Sequence, residues 1–175
     1  MNVRRSARIL LPLLAALFAS VFCASAQAPA KSTLLDAAAA AKVLPDTVYF
    51  AGKSSPIQAR NAAGVHFSDG GVLLAVLVDT SGYSSALQEK YQGYLLTEVP
   101  LAIGDRRLPA GAWGIGFVGN RFGVMDIGAH DVLQAPATHD TAMARPRPLQ
   151  ILDGPSAGTY RLCFGRSCVD FHRAK

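Results

Sequence analysis

The chain has 175 residues, 50% of them hydrophobic and 17% charged, with 16 Gly and 10 Pro, and a formal net charge of +5. That balance suits one globular core and excludes a disordered or low-complexity chain. Three of the 17 basic residues, Arg4, Arg5 and Arg8, cluster at the start, and the rest barely outnumber the 12 acidic residues and form no run, so the basic stripe of a nucleic-acid binder is missing and no such partner is expected.

Those arginines precede the apolar run Ile9 to Phe18 and small residues ending Ala26-Gln27-Ala28, the order of a secretory signal. Cleavage is expected after Ala28, with residues 1–28 the leader and residues 29–175 a single β-rich exported domain, periplasmic or extracellular. The Arg4-Arg5 pair leaves the general and twin-arginine routes both open. Lipidation at Cys23 is disfavoured, because Val21 and Phe22 before it are bulky. The run is too short for a permanent span, and nothing later approaches about 18 consecutive apolar residues, so the domain is not expected to span a membrane.

Thr33-Leu-Leu-Asp36 has the order of a helix N-cap, and the Ala-rich stretch from Leu34 to Val43 favours a short helix that Pro45 stops. After Pro45 the pattern turns to short β-branched and aromatic segments separated by Gly, Asp, Asn and Pro. Strands are expected over 47–51, 57–60, 64–67, 72–79, 94–103, 112–118, 121–127, 149–152, 160–164 and 167–172, with one helical turn over 85–91. The fold class is therefore mainly β, an antiparallel β-sandwich or barrel of about eight to ten short strands with one short N-terminal helix. Val72 to Val78 is apolar on both alternating faces and reads as a central strand covered on both sides.

Gly119-Asn120 is a suitable two-residue turn, which sets Phe117 opposite Phe122, Ile115 opposite Val124 and Trp113 opposite Asp126, where the carboxylate could accept the indole N–H. On the other face Gly114 meets Met125 and Gly116 meets Gly123, a stripe open to close approach by a backbone, a helix or a ligand. Gly165-Arg166 sets Cys163 opposite Cys168 at a non-hydrogen-bonded position, where a disulfide is sterically reasonable and an oxidising compartment favours it.

Two motifs look catalytic and are set aside. Gly114-Ile-Gly116-Phe-Val-Gly119 matches the dinucleotide fingerprint without the helix that fingerprint needs. Gly154-Pro-Ser156-Ala-Gly158 matches a nucleophile elbow but precedes a strand, leaving only Asp170 and His172 as partners. A more defensible set is Asp126, His130, Asp131, His139 and Asp140, whose imidazoles and carboxylates could hold a divalent metal such as zinc. Tyr83, Tyr91 and Tyr94 beside Gln88 mix aromatic area with hydrogen-bonding capacity as binding surfaces do, although the favoured reading of Tyr91 and Tyr94 is packing beneath the loop.

Val48-Tyr-Phe-Ala-Gly52, Glu89-Lys-Tyr-Gln-Gly-Tyr94, Leu108-Pro-Ala-Gly-Ala-Trp-Gly114 and Met125-Asp-Ile-Gly-Ala-His-Asp131 resemble segments of a group of small secreted bacterial proteins of unknown function. The resemblance implies an exported single β-domain and no particular activity. The leading expectation is a non-catalytic module, without cofactor, that binds a small molecule, glycan or envelope partner. The second is a metal-dependent hydrolase-type enzyme centred on His130 and His139, and the third a structural envelope protein.

Overall fold

A computed structural model describes residues 31–175; the expected leader, residues 1–28, lies outside the described residues. The elements are β1 (Thr33–Leu35), α1 (Ala37–Ala41), β2 (Thr47–Phe50), β3 (Lys53–His66), β4 (Val72–Val78), α2 (Ser85–Lys90), β5 (Gly93–Thr97), β6 (Leu101–Ile103), β7 (Arg106–Leu108), β8 (Gly111–Val118), β9 (Arg121–Met125), β10 (Asp131–Pro136), β11 (Thr138–His139), β12 (Gln150–Asp153), β13 (Thr159–Phe164) and β14 (Ser167–Arg173). Among the described residues no helix is long and apolar enough to cross a membrane.

Two antiparallel sheets form a β-sandwich and do not close into a barrel. The large sheet runs β1-β3-β4-β5-β8-β9-β10 with β2 added on β3, and the small one β12-β13-β14-β6-β7 with β11 added on β14. Between them lies one core drawn from both, including Leu73 and Ala75 of β4, Ile115 and Phe117 of β8, and Leu162, Val169 and Phe171 of the small sheet. The other face of the large sheet carries a second core, in which Leu74, Val76 and Val78 meet Ala40, Leu44, Phe50 and Tyr91. The strand Val72–Val78 thus buries both faces between neighbours β3 and β5, as its double alternation requires.

Several elements differ from expectation. The helix is Ala37–Ala41, capped by Asp36, whose Oδ1 accepts from Ala39 N–H at 2.8 Å; Thr33–Leu35 is a strand instead, because pairing with His66, Val65 and Gly64 outweighs the local helix preference. Segments 57–60 and 64–67 belong to one long strand interrupted by a bulge. Segment 94–103 is two strands in different sheets: Thr97 Oγ1 donates to Val99 O at 2.6 Å, and Pro100, with no N–H, cannot continue the ladder. With β1, β7, β10 and β11 not anticipated, the strands among the described residues number 14 rather than eight to ten.

Both hairpins have the expected register. Phe117 faces Phe122, Ile115 faces Val124 and Gly116 faces Gly123, while Cys163 faces Cys168 with Cα atoms 4.1 Å apart and the sulfurs at disulfide distance.

Candidate functional site

The tyrosine segment is core. Tyr83, Tyr91 and Tyr94 are all buried. The Phe50 ring stacks on Tyr91 at 3.8 Å between centroids, and Tyr83 meets Tyr91 edge-on at 5.4 Å. Tyr83 Oη donates to Phe50 O at 2.9 Å and accepts from Ser55 Oγ at 3.0 Å. The half-buried Gln88 donates from Nε2 to Tyr83 O at 2.7 Å. Desolvation pushes the Tyr91 hydroxyl above the usual phenol range. These four residues therefore face inward and serve packing; the expected binding surface is not at their side chains, because the apolar outer face of the large sheet needs a cover and they supply it.

The five proposed metal ligands stand in three separate places. Asp126 and His130 pair with each other, Oδ2 to Nδ1 at 3.0 Å, while Asp126 Oδ1 accepts from the Gly128 and His130 amides at 2.9 Å. The His130 amide first, then its ring, holds the Asp126 carboxyl below the ordinary carboxylate range. Asp131 pairs with Lys90 at 3.2 Å. His139 lies on β11 opposite Ser167, and Asp140 faces Arg161 at 3.8 Å. Among the described residues no group of three His, Cys, Asp or Glu converges as a metal site would. Asp126 does not take the indole N–H either: its oxygens close its own loop, and Trp113 Nε1 has no partner among the described residues.

The glycine stripe is largely covered. A Cβ on Gly114 would run into the Phe50 ring, and one on Gly116 into the Lys90 carbonyl at the end of α2. Only the Gly123 side stays open, flooring a hollow of about 170 Å³ rimmed by Lys90, Arg121, Asp131 and Gln134. Segments 48–52, 89–94, 108–114 and 125–131 meet on this face: Phe50 on Tyr91, Gly114 beneath both, and Ala51 N–H on Ile127 O at 2.8 Å. Gly154 to Gly158 forms the β12–β13 turn, closed by Gly154 N–H to Thr159 O at 2.8 Å, with no helix after Ser156.

A groove of about 720 Å³ runs along β1, β3 and β12, where β12 packs against β3. Ala63, Leu149 and Ile151 at its base are buried core side chains, and Arg60, Arg145 and Arg147 with Asp36 stand exposed along its rim.

Each rim arginine is held out by an identifiable device. The β3–β4 register steps from Ile57↔Val78 to Ala62↔Val76, so residues 58–61 bulge opposite Leu77 alone. Asn61 Nδ2 donates to Gln58 Oε1 at 2.9 Å, and Gln58 Nε2 to Val78 O at 3.3 Å, closing the bulge that carries Arg60. The loop from Asp140 to Leu149 is tied to the β13–β14 turn: Arg166 donates to Asp140 O and Thr141 O, both at 3.0 Å, and Gly165 N–H to Arg147 O at 3.0 Å. Among the described residues none of the three arginines stands in an ion pair. None of these three arginines was singled out in the sequence, where the Arg145-Pro-Arg147-Pro alternation was the one visible signal.

Comparison of the chain with protein-family models, curated proteins and solved structures returned no match.

Proposed function

We propose that this chain is an exported, non-catalytic β-sandwich that binds a small ligand in the groove along β1, β3 and β12. One observation carries the reading: a groove of about 720 Å³ runs along β1, β3 and β12, with a rim of charged side chains over an aliphatic base, within the size range of small-ligand sites. Export is supported by the signal-like order of residues 1–28 and by a cysteine pair at disulfide distance, since such bonds persist in oxidising compartments. The resemblance to small secreted bacterial proteins points the same way.

The test is native mass spectrometry of the protein recovered from the cells that make it, beside an Ala37→Trp variant that fills the groove from α1. A mass excess that disappears on denaturation and is missing from Ala37→Trp is the expected result. An excess of equal size in both proteins, or a bare mass in the unaltered one, overturns the reading. The mass of the recovered chain also reports whether it was cleaved after Ala28.

A further inference from the structure

We propose that the groove takes a short acidic segment of another polypeptide in extended form, which adds to β12 as a further strand of the small sheet while its carboxylates meet Arg60, Arg145 and Arg147, each at its own place. The inference rests on the groove being the binding site and names the class of its occupant.

The main chain of β12 carries the argument. This strand ends the small sheet and pairs with β13 on one side. Gly165 N–H donates to Pro148 O at 3.3 Å and Gly154 N–H to Thr159 O at 2.8 Å, while Gln150 faces Cys163 and Leu152 faces Arg161 with no shift of register between them. Residues 148, 150, 152 and 154 therefore turn their peptide groups to β13, and antiparallel alternation turns those of Leu149 and Ile151 away from it. Among the described residues those outward groups have no backbone partner. Leu149 and Ile151 bury their side chains in the core, so what they present to the groove they line is main chain. A free row of this kind is a template for an incoming strand of about five residues, and β12 has neither the bulge nor the lysine that usually blocks one.

Charge selects the partner. The three exposed arginines stand in no ion pair among the described residues, and the one carboxylate in the groove lining, Asp36, already caps α1. Arg60 rises from the β3 bulge and Arg145 and Arg147 from the loop before β12, so they suit carboxylates spaced along a chain, each taken by a guanidinium fork. A second copy set edge to edge would bring its own arginines against these, and like charges across an interface oppose association.

The experiment titrates the isotope-labelled protein with a capped peptide of alternating valine and threonine that carries two glutamates, followed by calorimetry and by amide exchange in the NMR spectrum. One control peptide has lysines for the glutamates, and another is N-methylated along its backbone. The glutamate peptide should bind at least about tenfold more tightly than the lysine peptide. That gap should narrow with added salt and in the Arg60→Gln and Arg145→Gln/Arg147→Gln variants, and the N-methylated peptide should not bind. At saturation the Leu149 and Ile151 amides should gain protection, while those of Gln150 and Leu152, which face β13, change little. Glutamate and lysine peptides of equal affinity overturn the acidic partner. Binding of the N-methylated peptide, or binding without protection of Leu149 and Ile151, overturns strand addition. A chain that is dimeric by native mass spectrometry and monomeric as Ala37→Trp assigns the edge to a second copy and overturns the peptide. No binding of the glutamate peptide overturns this inference and leaves the groove reading intact where protein recovered from cells still carries a mass excess that Ala37→Trp lacks; where that excess is missing as well, both fall.

Discussion

At the scale of single residues, close contacts decide more than exposed polar groups do. Gly116 is tolerable only as glycine, because any Cβ would overlap the Lys90 carbonyl, and backbone cannot yield as a flexible side-chain tip can. Gly116→Ala should therefore cost about 1–3 kcal/mol, seen as a lower urea midpoint, whereas Gly119, with open space around it, marks a turn where left-handed φ is what matters. Asp126 makes a pH prediction. Its folded-state carboxyl lies below the unfolded value, held there by the His130 amide and ring, so its contribution is complete above the unfolded pKa and is lost as pH falls through the folded one. The protection of the Gly128 and His130 amides, relative to their intrinsic exchange at each pH, should fall below about pH 4, and Asp126→Asn should show no such fall; protection unchanged across the range would count against the assignment. The Asp126 role was misread in the sequence because strand alternation places it opposite Trp113, while a loop of its own supplied nearer donors.

At the scale of elements, the central strand and the two hairpins were legible and the bulge was not. Two-faced alternation in Val72–Val78 and the Gly-led turns at 119 and 165 are local signals, carried by adjacent residues. Leu73→Ala should cost about 3 kcal/mol, since that side chain is fully buried between the sheets. The bulge at 58–61 reads as a break between two strands because polar Gln58, Arg60 and Asn61 interrupt the apolar pattern, and its closing bond to Val78 O comes from another strand. The Cys163–Cys168 bond closes a short loop, worth about 2 kcal/mol by chain entropy. Its removal should reach further than stability, because the same turn holds the loop of Arg145 and Arg147 through Gly165 and Arg166. In a Cys163→Ser/Cys168→Ser variant, amides of residues 140–148 should exchange faster than those of β4; equal change in both regions would contradict this coupling.

At the scale of the whole molecule, both sheets share one core, so they should unfold together. Trp113, the single tryptophan, packs at that core from the large sheet, and Leu162 enters it from the small one. Tryptophan fluorescence and exchange at Leu162 should give one urea midpoint, and separated midpoints would mean that the sheets are independent units. The groove belongs to this scale as well: Arg60 and Arg147 are far apart in sequence and border it together only because β12 packs against β3. By itself the sequence determined the β class, the central strand, the hairpin registers and the facing cysteines, because alternation and two-residue turns act between near neighbours. Tertiary structure alone decided that the sheets do not close into a barrel, that Tyr83, Tyr91 and Tyr94 turn inward, that the His and Asp residues scatter, and that Arg60, Arg145 and Arg147 border one groove. Each of those outcomes depends on which distant strands lie side by side, and pairing between distant strands leaves no periodic trace in a single chain.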